Sequence, residues 1–304
     1  MRKWVWWALQ LAVAAVVVRM VWKAIAGNWS EFRSLHMALT LHPGWIGLSV
    51  LVILLSYASS VESWRRILAG WAQHLSYGRA IRVWLVANLG RYIPGKVWSV
   101  AGLMALAQRA GVEPWAAGAS AFAIQAVAIG TAVALVAAAT PRAASPLRLG
   151  AAGLVAAGTI ALLTWPRAVR IVARLIGSAE KVRPLPLISV VESAVLGFVS
   201  WVIHGTAFWL LARGLGLGGG LSLPTAAGVF ALGYILGLLA LFAPGGVGVR
   251  EVVLISQLTP ALGAGGAVAL SIASRLVLTL TEVAAPLGVL LITRRAKEDT
   301  GVRT

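Results

Sequence analysis

Long apolar runs separated by short polar or Gly/Pro-rich stretches dominate the chain. Six of them, roughly 4 to 25, 44 to 68, 114 to 139, 147 to 165, 187 to 213 and 264 to 292, are long enough to predict helices that cross about 30 Å of hydrocarbon. Two interruptions are of another kind. Arg91-Tyr92-Ile93-Pro94-Gly95-Lys96-Val97-Trp98 and Leu241-Phe242-Ala243-Pro244-Gly245-Gly246-Val247-Gly248-Val249-Arg250-Glu251 each set Pro-Gly inside otherwise apolar sequence. Pro removes a backbone donor and Gly has little helix propensity, so each pair predicts a helix split at membrane depth. Such splits survive only where the freed polar groups face protein or a wet cavity. The segments from about 76 to 110 and from about 221 to 261 therefore read as re-entrant helical hairpins with a break at the tip.

The two breaks are in register. A shift of 150 places Pro94 on Pro244, Gly95 on Gly245, Val97 on Val247 and Gln125 on Arg275, and upstream a shift near 145 brings Ser63-Trp64 onto Phe208-Trp209. The expected architecture is an all-α polytopic membrane protein, a single integral membrane domain over 1–304. It consists of repeat one at about 1–140, repeat two at about 147–293, and a polar cytoplasmic tail over 294–304. Three spans and one hairpin per half make an odd number of crossings, which inverts the second half relative to the first. Broken helices at matching places in inverted halves point to a transporter's binding site. The stretch from Ser222 to Phe242 is the weak point, being long enough to span fully.

Composition sharpens the class. Of 304 residues 60% are hydrophobic and 12% charged, which no soluble globular domain matches. Trp4, Trp6, Trp7, Trp45, Trp115 and Trp165 collect at predicted span ends as an interfacial belt, while Trp201 and Trp209 suit a core. The formal net charge of +17 follows topology. With the amino terminus cytoplasmic, Lys23, Arg33, Arg142, Arg148, Arg213 and Arg250 fall on the opposite face and Arg19 and Arg275 inside spans. The other 18 of the 26 Lys and Arg fall on the cytoplasmic face, as the positive-inside rule requires of a multi-pass protein of the cytoplasmic membrane. Both termini are then cytoplasmic. Nucleic acid is not an expected partner, because no basic patch accompanies a soluble reading fold. Met1-Arg2-Lys3 ahead of an apolar run mimics a cleavable signal, but Arg19 and Lys23 precede the supposed cleavage site, so retention is expected. With no Cys in the chain, thiol catalysis, disulfides and Cys-ligated metals are excluded.

The candidate chemistry gathers at the breaks. Helices restarting at about Lys96 and Val249 would present unpaired N–H groups and positive dipole ends to an anionic head group, with Lys96 and Arg250 in their first turns. Asn88 and Tyr92 flank the first break and are expected to satisfy its backbone, and Gly246 and Gly248 extend the second. Arg275 and Glu282 lie seven residues apart, on one face of the last span. About 10 Å apart along the axis, they predict a shared cavity or phosphate lining rather than a direct bridge. A structural bridge from Arg275 to Glu251 or Glu192 is the alternative. Glu251 either offsets its own helix dipole or serves as a proton-coupling or amine-binding carboxylate. Glu62 pairs with Arg65 and Arg66 at helical spacing, and His204 reads as a hydrogen-bonded packing residue with no second ligand at metal spacing. No metal or cofactor is expected, and no nucleophile elbow, P-loop or HExxH suggests catalysis or ATP hydrolysis.

On Ala87-Asn88-Leu89-Gly90-Arg91-Tyr92-Ile93-Pro94-Gly95-Lys96-Val97-Trp98 and Ala243-Pro244-Gly245-Gly246-Val247-Gly248-Val249-Arg250-Glu251, the sequence resembles the lysylphosphatidylglycerol synthase transmembrane-region family of flippase-like membrane proteins. The resemblance covers roughly 40 to 292. In the multiple peptide resistance factors of that family, a domain like this is thought to move aminoacylated phosphatidylglycerol between leaflets while a soluble domain makes the lipid. With no counterpart of the soluble domain in this sequence, the resemblance implies translocation of a membrane phospholipid or lipid-linked substrate without synthesis. An integral-membrane transferase acting on a lipid-linked sugar and an ion-coupled carrier of a small anion are the alternative readings.

Overall fold

Hydropathy and small-residue packing dictate a layered helical structure, and the computed structural model describes residues 40–92, 97–139, 146–175, 182–240 and 246–299. No strand occurs among the described residues. The helices are α1 (Pro43–Gly70), α2 (Tyr77–Asn88), α3 (Val97–Arg109), α4 (Pro114–Ala139), α5 (Pro146–Thr164), α6 (Pro166–Leu175), α7 (Leu187–Gly214), α8 (Leu223–Leu239) and α9 (Val249–Asp299). Among the described residues, four helices are long and apolar enough to cross a membrane: α1, α4, α7 and the Val249–Leu291 part of α9. The apolar stretch of α5 is only Leu149–Thr164. The expected span at 4 to 25 and its tryptophans lie outside the described residues.

Around the first interruption, α2 has 12 residues and α3 has 13, joined through a 3-10 turn at Leu89–Tyr92. Each is about 20 Å long at 1.5 Å per residue, short of the hydrocarbon thickness. The 17 residues of α8 likewise fall short of a full perpendicular crossing. The helix after the second interruption leaves helical geometry at Gly263 (φ 71°) before the last span begins. It then runs to Asp299, beyond the end expected near 292, because Arg294, Arg295 and Lys297 favour a helix carboxyl terminus.

The centre of the fold is the antiparallel pair α1 and α7. Ser49, Ser56, Ser63 and Gly70 recur every seven residues on α1, and Ser193, Ser200, Ala207 and Gly214 do so on α7. A seven-residue spacing keeps small groups on one face, and small groups let membrane helices approach closely. Hydrogen bonds run down the seam. Ser49 Oγ donates to the Ala207 carbonyl at 2.7 Å, Ser200 Oγ to the Ser56 carbonyl at 2.9 Å, and Ser63 Oγ to the Ser193 carbonyl at 2.8 Å. Interhelical bonds of this kind average about 0.6 kcal/mol in membrane proteins, so close packing rather than any one bond holds the pair.

One apolar cluster packs α2, α3 and α4 around the Val61–Leu68 half of α1, and another packs α8 and α9 around the Trp201–Leu215 part of α7. Trp64 is fully buried and donates its indole N–H to Ser120 on α4 at 3.0 Å. Trp201 is also buried, whereas Trp45 and Trp165 are exposed, in line with a core-against-belt division of the tryptophans. At the end of α1, Glu62 takes both Arg65 and Arg66, and Arg66 reaches Glu192 of α7 at 3.3 Å. This is the structural pairing expected of Glu62.

Candidate functional site: a basic cavity between the two helix breaks

A cavity of about 480 Å³ opens where α2, α3, α4, α7, α8 and α9 converge. Its charged lining is Arg91, Arg250, Arg275 and Glu282, joined by Asn88, Gln125, His204 and Tyr234. Its size is that of a small-molecule pocket.

The second break builds one wall. Gly246 and Gly248 adopt φ of 70° and 85°, left-handed values that only Gly reaches without strain. The turn folds back so tightly that a Cβ on Gly246 would lie 3.0 Å from the Gly237 Cα. This turn aims the start of α9 at the cavity. Glu251 accepts the Gly248 N–H at 2.5 Å, capping its own helix and offsetting its dipole, and its other carboxylate oxygen lies 3.9 Å from Arg275. Arg275 therefore takes Glu251, and Glu192 is engaged elsewhere.

Arg250 is the most deeply placed charge, at 7% exposure. Its guanidinium sits 4.7 Å over the Phe230 ring and donates to Ser274 Oγ at 3.3 Å. No carboxylate of the described residues lies within 4.0 Å of it. A charge so placed is retained only at considerable cost, and intramembrane examples line substrate pathways.

The first break supplies the opposing wall. Arg91, in the 3-10 turn, reaches Glu282 of α9 at 2.5 Å and donates to Asn88 Oδ1 at 2.9 Å. Asn88 thus orients a guanidinium; the backbone of the break that it was expected to satisfy lies outside the described residues. The reason for the contact is spacing: three residues along a helix or 3-10 turn bring Asn88 and Arg91 onto one face. Tyr92 closes the 3-10 turn with its backbone. Pro94, Gly95, Lys96, Pro244 and Gly245 lie outside the described residues. Helix α3 restarts at Val97 and α9 at Val249, beside the predicted restarts.

Arg275 and Glu282 share the cavity lining as their seven-residue spacing predicts, and each finds its partner on a different broken segment. The last span is thereby tied to both breaks. Arg91 and His204 are the lining residues that sequence reasoning assigned elsewhere, one to the cytoplasmic charge tally and the other to packing. Arg91 had a local signal, its position next to the break and three residues after Asn88. His204 does pack and hydrogen-bond. Its Nδ1–H donates to the Ser200 carbonyl at 2.9 Å, and Nε2 lies 3.0 Å from Ser56 Oγ. Its ring also stacks on Phe230 at 5.5 Å. Among the described residues no group of three His, Cys, Asp or Glu could hold a metal ion.

Apolar helices long enough to cross a membrane, packed around a buried basic cavity, define a multi-pass membrane protein. The chain belongs to the lysylphosphatidylglycerol synthase TM region family, whose model matches residues 7–285. No curated protein matches it.

Proposed function

We propose that this protein is a lipid translocase of the cytoplasmic membrane, moving a phosphate-bearing lipid between leaflets without making or breaking covalent bonds. The observation that carries the reading is Arg250, a buried guanidinium in the cavity wall with no carboxylate partner among the described residues. The neighbouring pairs Arg91–Glu282 and Arg275–Glu251 balance themselves, leaving the described lining one positive charge in excess. An anionic head group supplies the missing charge. Phe122 and Leu239 line the cavity and are also exposed, at 45% and 57%, so the rim of the cavity is apolar and reaches the outside of the helix bundle. Acyl chains can leave by that rim and stay in the bilayer while the head group is enclosed. This favours a lipid over a free soluble anion. Glu251, the carboxylate a glycosyl transfer would need, does not line the cavity and is committed to Gly248 and Arg275, which counts against a transferase.

The two halves act as inverted repeats that rock about the α1–α7 seam. The support is an exchange relation. An offset of 144 residues carries Ser49 onto Ser193 and Ser63 onto Ala207, so the Ser49–Ala207 contact maps onto Ser193–Ser63 and the Ser56–Ser200 contact maps onto itself. That offset agrees with the shift near 145 upstream of the breaks. Both termini are cytoplasmic in this arrangement. The test uses proteoliposomes containing phosphatidylglycerol labelled on its head group, with a membrane-impermeant quencher reporting leaflet exchange. Exchange should require the protein and be lost in the Arg250→Ala, Arg275→Ala double variant. Unchanged exchange in that variant would overturn the site.

A further inference from the structure

The proposed lipid site has a second half. From Arg250 an unbroken run of ring contacts lines the cavity. Phe230 lies under the guanidinium at 4.7 Å, His204 stacks on Phe230 at 5.5 Å, and Trp201 is 5.9 Å from His204 and 4.9 Å from Tyr234. Two uncharged polar groups in the same lining, the Gln125 amide and the Tyr234 hydroxyl, make no hydrogen bond to another described residue. Ser60 and Ser200, joined at 2.8 Å, add hydroxyls. A wall of rings with a few convergent neutral donors and acceptors recognises a molecule having C–H faces and many hydroxyls.

The charge count narrows the ligand further. Among the described residues each carboxylate near the cavity already faces an arginine, Glu282 to Arg91 and Glu251 to Arg275, so none of these is left to receive an ammonium group. A cationic substituent would add like charge to a site holding Arg91, Arg250 and Arg275, and repulsion of that kind rejects a ligand as effectively as contacts attract one. The one excess positive charge among the described residues matches a phosphodiester, with a single negative charge, better than a monoester, which approaches two near neutral pH. We infer that the head group is a phosphodiester carrying an uncharged polyhydroxylated substituent, of sugar or polyol type, seated with its phosphate at Arg250 and its hydroxyl-bearing face on the Trp201–Tyr234 wall. This rests on the phosphate-lipid reading above and adds the class of the substituent.

The test is competitive lipid retention by the purified full chain, read by native mass spectrometry. Three phosphodiester probes share one acyl composition: phosphatidylinositol as monoanionic diester with polyol, phosphatidylmethanol as monoanionic diester without hydroxyls, and lysyl-phosphatidylglycerol as diester with ammonium groups and a net positive charge. Phosphatidylinositol should be retained about tenfold over each of the others, the ratio that 1.4 kcal/mol of selective contact gives. Tyr234→Phe and Gln125→Leu should each lower phosphatidylinositol retention roughly threefold while leaving phosphatidylmethanol unchanged, since each removes one neutral hydrogen-bonding group. Arg250→Gln should weaken both together. Equal retention of phosphatidylinositol and phosphatidylmethanol overturns the polyol subsite and leaves the phosphate reading standing. Preferred retention of the lysyl lipid overturns the charge argument. Retention of none overturns the lipid reading itself, and this inference with it.

Discussion

Burying a guanidinium in a membrane protein costs several kcal/mol unless charge or hydrogen bonds compensate it, and Arg250 has a ring and one long bond to Ser274 among the described residues. Replacing it separates function from stability. Arg250→Gln removes an uncompensated charge, so the purified protein should melt no lower than the parent, while retention of anionic lipid falls by about tenfold or more. A melting temperature that fell with retention intact would assign Arg250 to scaffolding. Glu282 makes the opposite prediction. Glu282→Gln leaves Arg91 facing a neutral amide, and breaking a partly buried pair from one side should destabilise the lipid-free protein by roughly 1–3 kcal/mol. An anionic lipid then takes the place of the carboxylate, so added phosphatidylglycerol should restore the melting temperature of the variant more than it raises that of the parent. Equal shifts in the two proteins would remove Arg91 from the binding surface.

Among the elements, the second break holds more of the geometry than the first. Gly246→Ala meets both a left-handed backbone and the Gly237 Cα, whereas Gly248→Ala meets the left-handed backbone. The conformational cost is about 1–2 kcal/mol at either position. Gly246→Ala and Gly248→Ala should therefore each lower thermal stability, and both should slow lipid exchange by tilting the start of α9. Hydropathy and Pro-Gly are local signals, and they made the described spans and the restart near Val249 legible in the sequence. The placing of Arg275 and Glu282 along one face was legible because helical periodicity links residues seven apart. Arg91–Glu282 was not, since 191 residues separate the partners and nothing local says that the first break meets the last span. The contact from Asn88 to Arg91 was not legible for a related reason: a short polar side chain near a break suggests capping, and only the 3-10 turn brings Arg91 within its reach. The seam was written openly, as small residues every seventh position on α1 and α7, but the apolar composition of both runs obscured that periodicity.

For the molecule as a whole, the antiparallel course of α1 and α7 carries a topological consequence. Ser49 meets Ala207 and Ser63 meets Ser193, so the carboxyl-terminal ends of the two helices lie at opposite ends of the seam. Both helices are long and apolar enough to span, and therefore the segment after α1 and the segment after α7 should emerge on opposite sides of the membrane. Gly78 and Gly219 report those two places. Each is exposed, and a Cβ at either would meet nothing within 4 Å, so a side chain can be added without disturbing the fold. The chain contains no cysteine, which makes a single introduced thiol the only one to react. On the proposed topology, Arg79 and Arg82 beside Gly78 belong to the cytoplasmic side by the positive-inside rule. In sealed right-side-out vesicles an impermeant maleimide should label Gly219→Cys and spare Gly78→Cys, and inside-out vesicles should reverse the pattern. Labelling of both from one side would mean that the two halves enter the bilayer in the same sense. Exposure of the Arg250 cavity to the two leaflets in turn could not then arise by exchanging the conformations of inverted halves.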